Sequence, residues 1–406
     1  MRGNFFGLKT FGLLCGFLSF CFANPFSDFN LEPVPHTLYS EDGTRLTSFS
    51  WLHQDPAEYA KKRPVILLGH GLGETAQSLD GWAAIFYQAG FNVYIGQIRL
   101  AGFGEHVSDL SKDNHNGIKS VVSDFRSLLR FVGTQHPHAD LHYFGHSMGG
   151  IEPMIAFSDK NFQKEFAHRL KAQTFLGSPS DLRDLPAWMK VLVRGLFPVL
   201  TKARRSGKHH IGVHHSFFRT TDWMEKQVWW SPAVALYGKL LSKSTLAVAR
   251  MLLHYAIWSR NYHGDHELDE FMKKQISQIP IDLLLDFGSA VLNGEFIDEL
   301  GLPMIVPENI EIPTQIIAVQ KDIFVSRRSA EGLYQRLGTS KKQLVWVHDM
   351  AHNDLVVGKP QKEIAETAVH FHREVSSNEF ESGVVELKPV HKYRCRWFLL
   401  QERVSH

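Results

Sequence analysis

The pentapeptide Gly145-His146-Ser147-Met148-Gly149 has the pattern Gly-x-Ser-x-Gly. A serine hydroxyl becomes a useful nucleophile toward an acyl carbonyl only when a base takes its proton and an acid orients that base. The pentapeptide alone is a weak signal; its setting strengthens it. The apolar run Leu141–Phe144 leads straight into it, and the helix-compatible stretch Gly150–Phe157 follows. A tight strand-to-helix turn forces strained backbone angles on the serine, and small flanking residues leave room for them. The serine would then project at the edge of a sheet, beside a helix N-terminus.

The chain has 23 histidines, so position must select the base. His352 stands in Met350-Ala351-His352-Asn353-Asp354, just after the apolar run Gln343–Val347, and Asp322 in Gln320-Lys321-Asp322, just after Thr314–Val319. Both are expected past the C-terminal ends of strands, the edge on which Ser147 also falls and on which chemistry collects in open α/β sheets. The order Ser, Asp, His along the chain is the order a nucleophile-elbow protein uses. Among the rivals, His348 is expected at the strand end, and Asp349 and Asp354 lie too near His352 in sequence to reach it from a separate strand. An oxyanion needs two backbone N–H donors. Met148 is the candidate for one. The loop Gly69-His70-Gly71-Leu72-Gly73 after Val65–Leu68 offers the other at Leu72, with His70, Gly71, Gly145, His146 and Gly149 as supporting positions.

These residues need a scaffold, and the sequence outlines one. His36–Tyr39 and Arg45–Trp51 flank a turn at Asp42-Gly43 and read as a hairpin. Val65–Leu68, Asn92–Ile98, Leu141–Phe144 and Ala172–Leu176 read as buried strands, separated by helical patterns at Ser78–Gln88 and Ser120–Val132. Thr314–Val319, Arg328–Leu337, Gln343–Val347 and Gln361–Arg373 resume the alternation. Such alternation predicts an α/β class protein, a mostly parallel sheet with helices on both faces. It is interrupted from about 180 to 310 by a helical, aromatic and basic block without clear buried strands, expected to be a cap or lid inserted between two sheet strands. The predicted organisation is residues 1–23 as signal peptide, 24–179 and 311–375 as the two parts of the core, 180–310 as the lid, and 376–406 as an appended tail.

Together, Gly69-His70-Gly71, Gly145-His146-Ser147-Met148-Gly149-Gly150, Asp322 and His352 resemble the α/β-hydrolase superfamily, near its monoacylglycerol lipase, lysophospholipase and esterase members. The resemblance covers about 36–178 and 311–375. It implies an α/β-hydrolase fold, a Ser147–His352–Asp322 triad, an acyl-enzyme and no cofactor; the expected substrate is a lipid-like acyl ester. Phospholipid or polyester hydrolysis by the same triad is an alternative, and a non-catalytic interaction protein another. The loop Gln97-Ile98-Arg99-Leu100-Ala101-Gly102-Phe103-Gly104 departs from the family pattern, and the insertion is longer than a monoacylglycerol lipase lid.

The remaining signals concern place and partners. A formal charge of +2 on 406 residues gives no general basis for binding nucleic acid. Residues 183–274 nevertheless hold 15 Lys or Arg against 7 Asp or Glu. With Trp188, Met189, Val191, Leu192, Phe197 and Trp223 among them, this block suits peripheral contact with an anionic membrane, or a lid over an acyl groove. His209-His210, His214-His215, His263 and His266 form no recognisable metal-ligand set, so no metal is expected. The apolar stretch Phe11–Phe20 before Cys21-Phe22-Ala23 reads as an export signal cleaved after Ala23, with an uncleaved anchor as the alternative. Cleavage would leave Cys395 alone, so no intramolecular disulfide is expected, and the chain contains no Asn-x-Ser/Thr acceptor.

Overall fold

A computed structural model describes residues 31–54, 62–102, 108–110, 115–166, 168–212, 277–357, 362–375 and 380–388. The expected signal peptide, and the part of the insertion between 213 and 276, lie outside the described residues.

One sheet of nine strands organises the described residues, in the order β1-β2-β4-β3-β5-β6-β9-β10-β11. The strands are β1 (Val34–Tyr39), β2 (Arg45–Trp51), β3 (Val65–Gly69), β4 (Asn92–Gln97), β5 (Leu141–His146), β6 (Leu170–Leu176), β9 (Thr314–Val319), β10 (Lys342–Val347) and β11 (Gly383–Leu387). The hairpin β1–β2 pairs antiparallel, as does β2 with β4; every other pairing in this sheet is parallel. Pro35 sits on β1 at the sheet's edge, where its missing N–H leaves no ladder bond unmade.

Successive strand residues point to opposite faces, so the continuous apolar runs supply both. Ile66, Leu68, Val93, Ile95, Val345 and Val347 join Trp82 and Phe86 of α1 (Asp80–Gln88) and Ile364 and Ala368 of α8 (Lys362–Glu374). The alternate residues Val65, Leu67, Tyr94, Tyr143, Ile316 and Leu344 pack on the other face. There they meet α2 (Ile118–Gln135), α3 (Met148–Ser158) and α7 (Arg327–Arg336) through Phe125, Leu129, Ile151, Phe157 and Leu333. A short helix α4 (Lys160–Phe166) follows α3.

Among its described residues, the inserted block differs from its sequence reading in one respect. Beside α5 (Ala187–Arg205) and α6 (Ile281–Asn293), it contains an antiparallel pair, β7 (His210–Gly212) and β8 (Gln278–Pro280). Three residues per strand are too few to leave an alternating pattern. Asp282 of α6 accepts from Arg204 Nε at 2.6 Å and from the Asn116 N–H at 3.0 Å, and Asp286 accepts from the Ile118 N–H at 2.8 Å. The first bond joins the two helices of the insertion, and the other two tie the insertion to the start of α2. The tail reading also needs correction. Within 376–406, residues Gly383–Leu387 form β11, paired in register with Gln343–Val347. An edge strand is covered on one side only, so it lacks the unbroken apolar run that marks the inner strands.

Candidate functional site

Ser147 stands at the turn between β5 and α3 with φ 53° and ψ −115°. That conformation is costly for a residue with a side chain and persists only where the surroundings enforce it. Here the Ser147 N–H donates to the Leu176 carbonyl at 2.8 Å, and the Gly150 N–H donates back to the Ser147 carbonyl at 3.0 Å. The crossing has no room for side chains at two neighbours. A Cβ on Gly145 would overlap the Gly149 carbonyl, and one on Gly149 would overlap the Gly69 carbonyl.

His352 opens a short 3-10 turn, His352–Leu355, that is pinned from α1 by the Trp82 indole N–H donating to the Leu355 carbonyl at 2.8 Å. Its Nε2 lies 3.0 Å from Ser147 Oγ and its Nδ1 2.7 Å from Asp322 Oδ2. The second carboxylate oxygen of Asp322 accepts from the backbone N–H groups of Phe324 at 2.7 Å and Val325 at 3.2 Å. The carboxylate therefore accepts a hydrogen bond from His352 Nδ1–H, which leaves Nε2 free to accept from the serine hydroxyl. Phe324 meets the imidazole edge to face, at 4.9 Å between ring centres. Burial would lower the pKa of His352, but the charge and hydrogen bond of Asp322 together with the charges of Glu74 and Asp354 outweigh it, and the net direction is upward. The other carboxylates near His352 in sequence are engaged elsewhere. Asp349 pairs with Lys321 at 3.4 Å, and Asp354 accepts from the Ala351 N–H at 2.8 Å. His348 turns to Glu386 on β11, at 3.0 Å.

The loop after β3 folds into a turn in which the Glu74 N–H donates to the Gly71 carbonyl at 3.1 Å. The N–H of the second residue of such a turn is not used by the turn itself. That residue is Leu72, whose side chain packs on the core. Met148 begins α3, so its N–H has no intrahelical acceptor. His70 is buried, with Nδ1 2.9 Å from the Gly71 carbonyl and no partner at Nε2. The predicted positions thus gather on one edge of the sheet, with His146 buried beneath its C-terminal end, its ring 5.0 Å from that of His352.

Sequence reasoning passed over Glu74. Its carboxylate accepts from the Gly71 N–H and from Ser78 Oγ, each at 2.9 Å, and pairs with His146 Nδ1 at 3.0 Å. Burial would raise its pKa, but the His146 ring and the hydrogen bonds from His146 and Gly71 hold it down at about 2. The only signal was its place directly after the glycine-rich loop. The unusual loop after β4 also has a structural reason. Arg99 is fully buried there, donating to Asp124 at 2.7 and 2.9 Å, to Asp42 at 3.0 Å and to Asn116 at 3.0 Å, which joins the hairpin turn to α2.

A parallel sheet sandwiched by helices with a strained serine at a strand-to-helix elbow defines the α/β-hydrolase fold, and the buried His–Asp pair beside the serine is an arrangement that can activate a hydroxyl nucleophile. Residues 60–216 match the family described as serine aminopeptidase, S33. Over 120 residues the chain is 32% identical to the monoacylglycerol lipase of Mycolicibacterium smegmatis; the matched stretch is 28% of this chain and 38% of that protein. The chain therefore spans well under half the length of that curated relative. Among solved structures, a soluble variant of the Saccharomyces cerevisiae monoglyceride lipase in complex with a substrate analogue is similar in fold, with a TM-score of 0.54 at 14% identity over 84% of this chain and 95% of that one. An esterase from Exiguobacterium antarcticum gives a TM-score of 0.51 at 13% identity, over 83% and 99%.

Proposed function

We propose that this chain is a serine carboxylic-ester hydrolase acting on lipid-like acyl esters through an acyl-enzyme. The observation that carries the reading is the chain of contacts from Ser147 Oγ to His352 Nε2 at 3.0 Å and from His352 Nδ1 to Asp322 at 2.7 Å. In this reading Ser147 Oγ attacks the acyl carbon while its proton passes to His352. Asp322 holds the imidazole in the tautomer that can receive it and stabilises the charged ring. The N–H groups of Leu72 and Met148 stabilise the oxyanion. His352 returns the proton to the departing alcohol, and a water deprotonated by the same imidazole then releases the acid and frees the serine. The similarity to monoacylglycerol lipases supports an acyl glycerol as substrate. The exposed Trp188, Val191 and Leu192 of α5, on the same helix as Arg194, Lys202 and Arg205, support contact with an anionic lipid surface. Export rests on the sequence of residues 1–23.

Mutation tests the reading. Ser147→Ala should abolish turnover of p-nitrophenyl esters and labelling by a fluorophosphonate, while wild type labels and turns over. Undiminished labelling of Ser147→Ala would show that the nucleophile lies elsewhere. Turnover of monoacylglycerols, lysophospholipids and polyesters of matched chain length then ranks the substrates.

A further inference from the structure

Glu74 contacts none of the three residues assigned to the reaction, yet it is tied to the neighbours of two of them. It is buried, and one of its oxygens accepts both the Gly71 N–H, adjacent to the Leu72 donor, and the Ser78 hydroxyl at the base of the loop. His146 Nδ1 bonds the same oxygen at 3.3 Å and lies 3.0 Å from the other. His146 precedes the nucleophile, is wholly buried, and lies ring to ring with His352. The same loop is gripped from outside by the insertion. The Ser277 N–H donates to the Gly73 carbonyl at 2.7 Å and Ser277 Oγ to the Glu74 carbonyl at 3.3 Å. A loop expected to supply one oxyanion donor is thus fixed on its inner side by a single carboxylate.

We propose that Glu74 is a positioning residue for the hydrolase reaction: it sets the oxyanion loop through Gly71, and its charge, relayed past His146, steadies the His352 imidazolium. The inference rests on the triad reading above. Two consequences follow from its geometry. First, orientation: a donor displaced by a fraction of an ångström loses much of its hold on a developing oxyanion. Second, charge: the groups that bear on His352 are Asp322, Glu74 and Asp354, all acting to favour its protonated form, with the neutral Ser147 hydroxyl at Nε2 and the edge of Phe324 against the ring. The groups that bear on Glu74 are His146 and His70, together with the Gly71 N–H and the Ser78 hydroxyl. Asp322 does most of the work on His352, and Glu74 is a second negative charge behind it.

Two substitutions separate these roles. Glu74→Gln removes the charge and nearly preserves the shape. Its carbonyl can keep the Gly71 and Ser78 donors, and its NH2 then takes the place of the second oxygen, 3.0 Å from His146 Nδ1. Glu74→Asp keeps the charge but withdraws it by one methylene. With a short-chain p-nitrophenyl ester, we expect kcat of Glu74→Gln to fall by about 10-fold or more with KM little changed, in the range typical of losing a supporting hydrogen-bond partner. The acid limb of its kcat/KM profile should move to lower pH, since His352 loses a charge that favours its protonation. Glu74→Asp should lose kcat while its acid limb stays with wild type. A residue that matters only for folding would lower the amount of active protein, counted by fluorophosphonate titration, without moving the limb. An unmoved limb or a wild-type kcat in a folded Glu74→Gln overturns the electrostatic role, and a wild-type kcat in Glu74→Asp overturns the positioning role. Should Glu74→Gln fail to fold, Glu74→Asp decides: wild-type kcat in it overturns the proposal, and reduced kcat per labelled site with an unmoved limb supports it. A wild type that takes no label and hydrolyses no ester defeats the triad reading and this inference with it, whereas normal wild-type labelling isolates any failure to Glu74.

Discussion

Replacing Asp322 by asparagine should cost about four orders of magnitude in kcat while leaving the fold intact, and the structure says why. One carboxylate oxygen accepts the backbone N–H groups of Phe324 and Val325, at 2.7 and 3.2 Å, and the other faces His352 Nδ1 at 2.7 Å. An asparagine has one oxygen and one NH2 to place. Turning the NH2 toward two N–H donors would leave all three without acceptors in a buried site, at about 1–3 kcal/mol for each unsatisfied donor. The amide oxygen must therefore stay on Phe324 and Val325, and the NH2 must point at His352. Nδ1 then has to accept, the ring proton moves to Nε2, and Nε2–H donates to Ser147 Oγ instead of receiving its proton. The imidazole is held in place in the tautomer that cannot act as base. In a serine protease the corresponding change lowers kcat about 10⁴-fold, and at about 1.36 kcal/mol per decade this is roughly 5.5 kcal/mol of transition-state stabilisation. The assay is steady-state hydrolysis of a p-nitrophenyl ester alongside the rate of fluorophosphonate labelling, with the thermal unfolding midpoint as the control for folding. A folded Asp322→Asn variant retaining more than a tenth of wild-type activity would refute the tautomer argument and with it the role given to Asp322.

Gly149→Ala should yield little folded protein, because the added methyl would overlap the backbone carbonyl of Gly69, and neither β3 nor the elbow can move aside without displacing the other; a soluble, fully active alanine variant would contradict this packing. A second expectation concerns acid. His142 and His372 face each other through their Nδ1 atoms at 3.1 Å, and His372 Nε2 meets Thr174 Oγ1, whose own proton goes to Gln315. Burial holds His142 down at about 3 and His372 well below the ordinary value, so the folded chain binds neither proton where the unfolded chain, with histidine pKa near 6.5, binds both. Their contribution to stability is complete above about pH 6.5 and is lost as pH falls toward 3, at about 1.4 kcal/mol per pH unit for each histidine. Urea unfolding at pH 7 and pH 5 should show a smaller acid loss in His142→Leu/His372→Leu than in wild type, and equal losses would sink the assignment.

The parts of this molecule that could be read from sequence are those with a strong local cause. A strand covered on both faces must be apolar throughout, so β3, β4, β5 and β9 announced themselves, and chain order past the ends of β9 and β10 pointed to Asp322 and His352. What escaped was either half-covered or non-local. β11 alternates Val384 and Glu386 with their neighbours at a half-exposed edge, which in a polar tail resembles nothing in particular. β7 and β8 draw their order from each other across an interval of more than sixty residues. Glu74 is legible only in three dimensions: an isolated glutamate after a glycine-rich loop is usually a solvated side chain, and here Gly71 and Ser78 of its own loop and His146 from the distant end of β5 converge on it.

The convergence of Ser147, Asp322 and His352 is a matter of register and loop length together. Between β5 and β10 lie β6 and β9, so three strand spacings separate the nucleophile's strand from that of the base, about 14 Å at about 4.8 Å each. Pairing keeps the strand ends nearly level: His146 is opposite Leu176, Leu176 opposite Ile317, and Val319 opposite Val347. The distance is then crossed by progressively longer overhangs, since Ser147 follows directly on β5, Asp322 comes three residues after Val319, and His352 five after Val347. Backbone hydrogen bonds continue past the strands to brace those overhangs, from Ser147 to Leu176, from Gly177 to Ile317, from Gln320 to Val347 and from Lys321 to Met350. The reactive geometry is therefore specified by the main chain before any side chain acts. That is why residues with no chemistry of their own, such as Gly149 and Trp82, constrain it as tightly as Asp322 does.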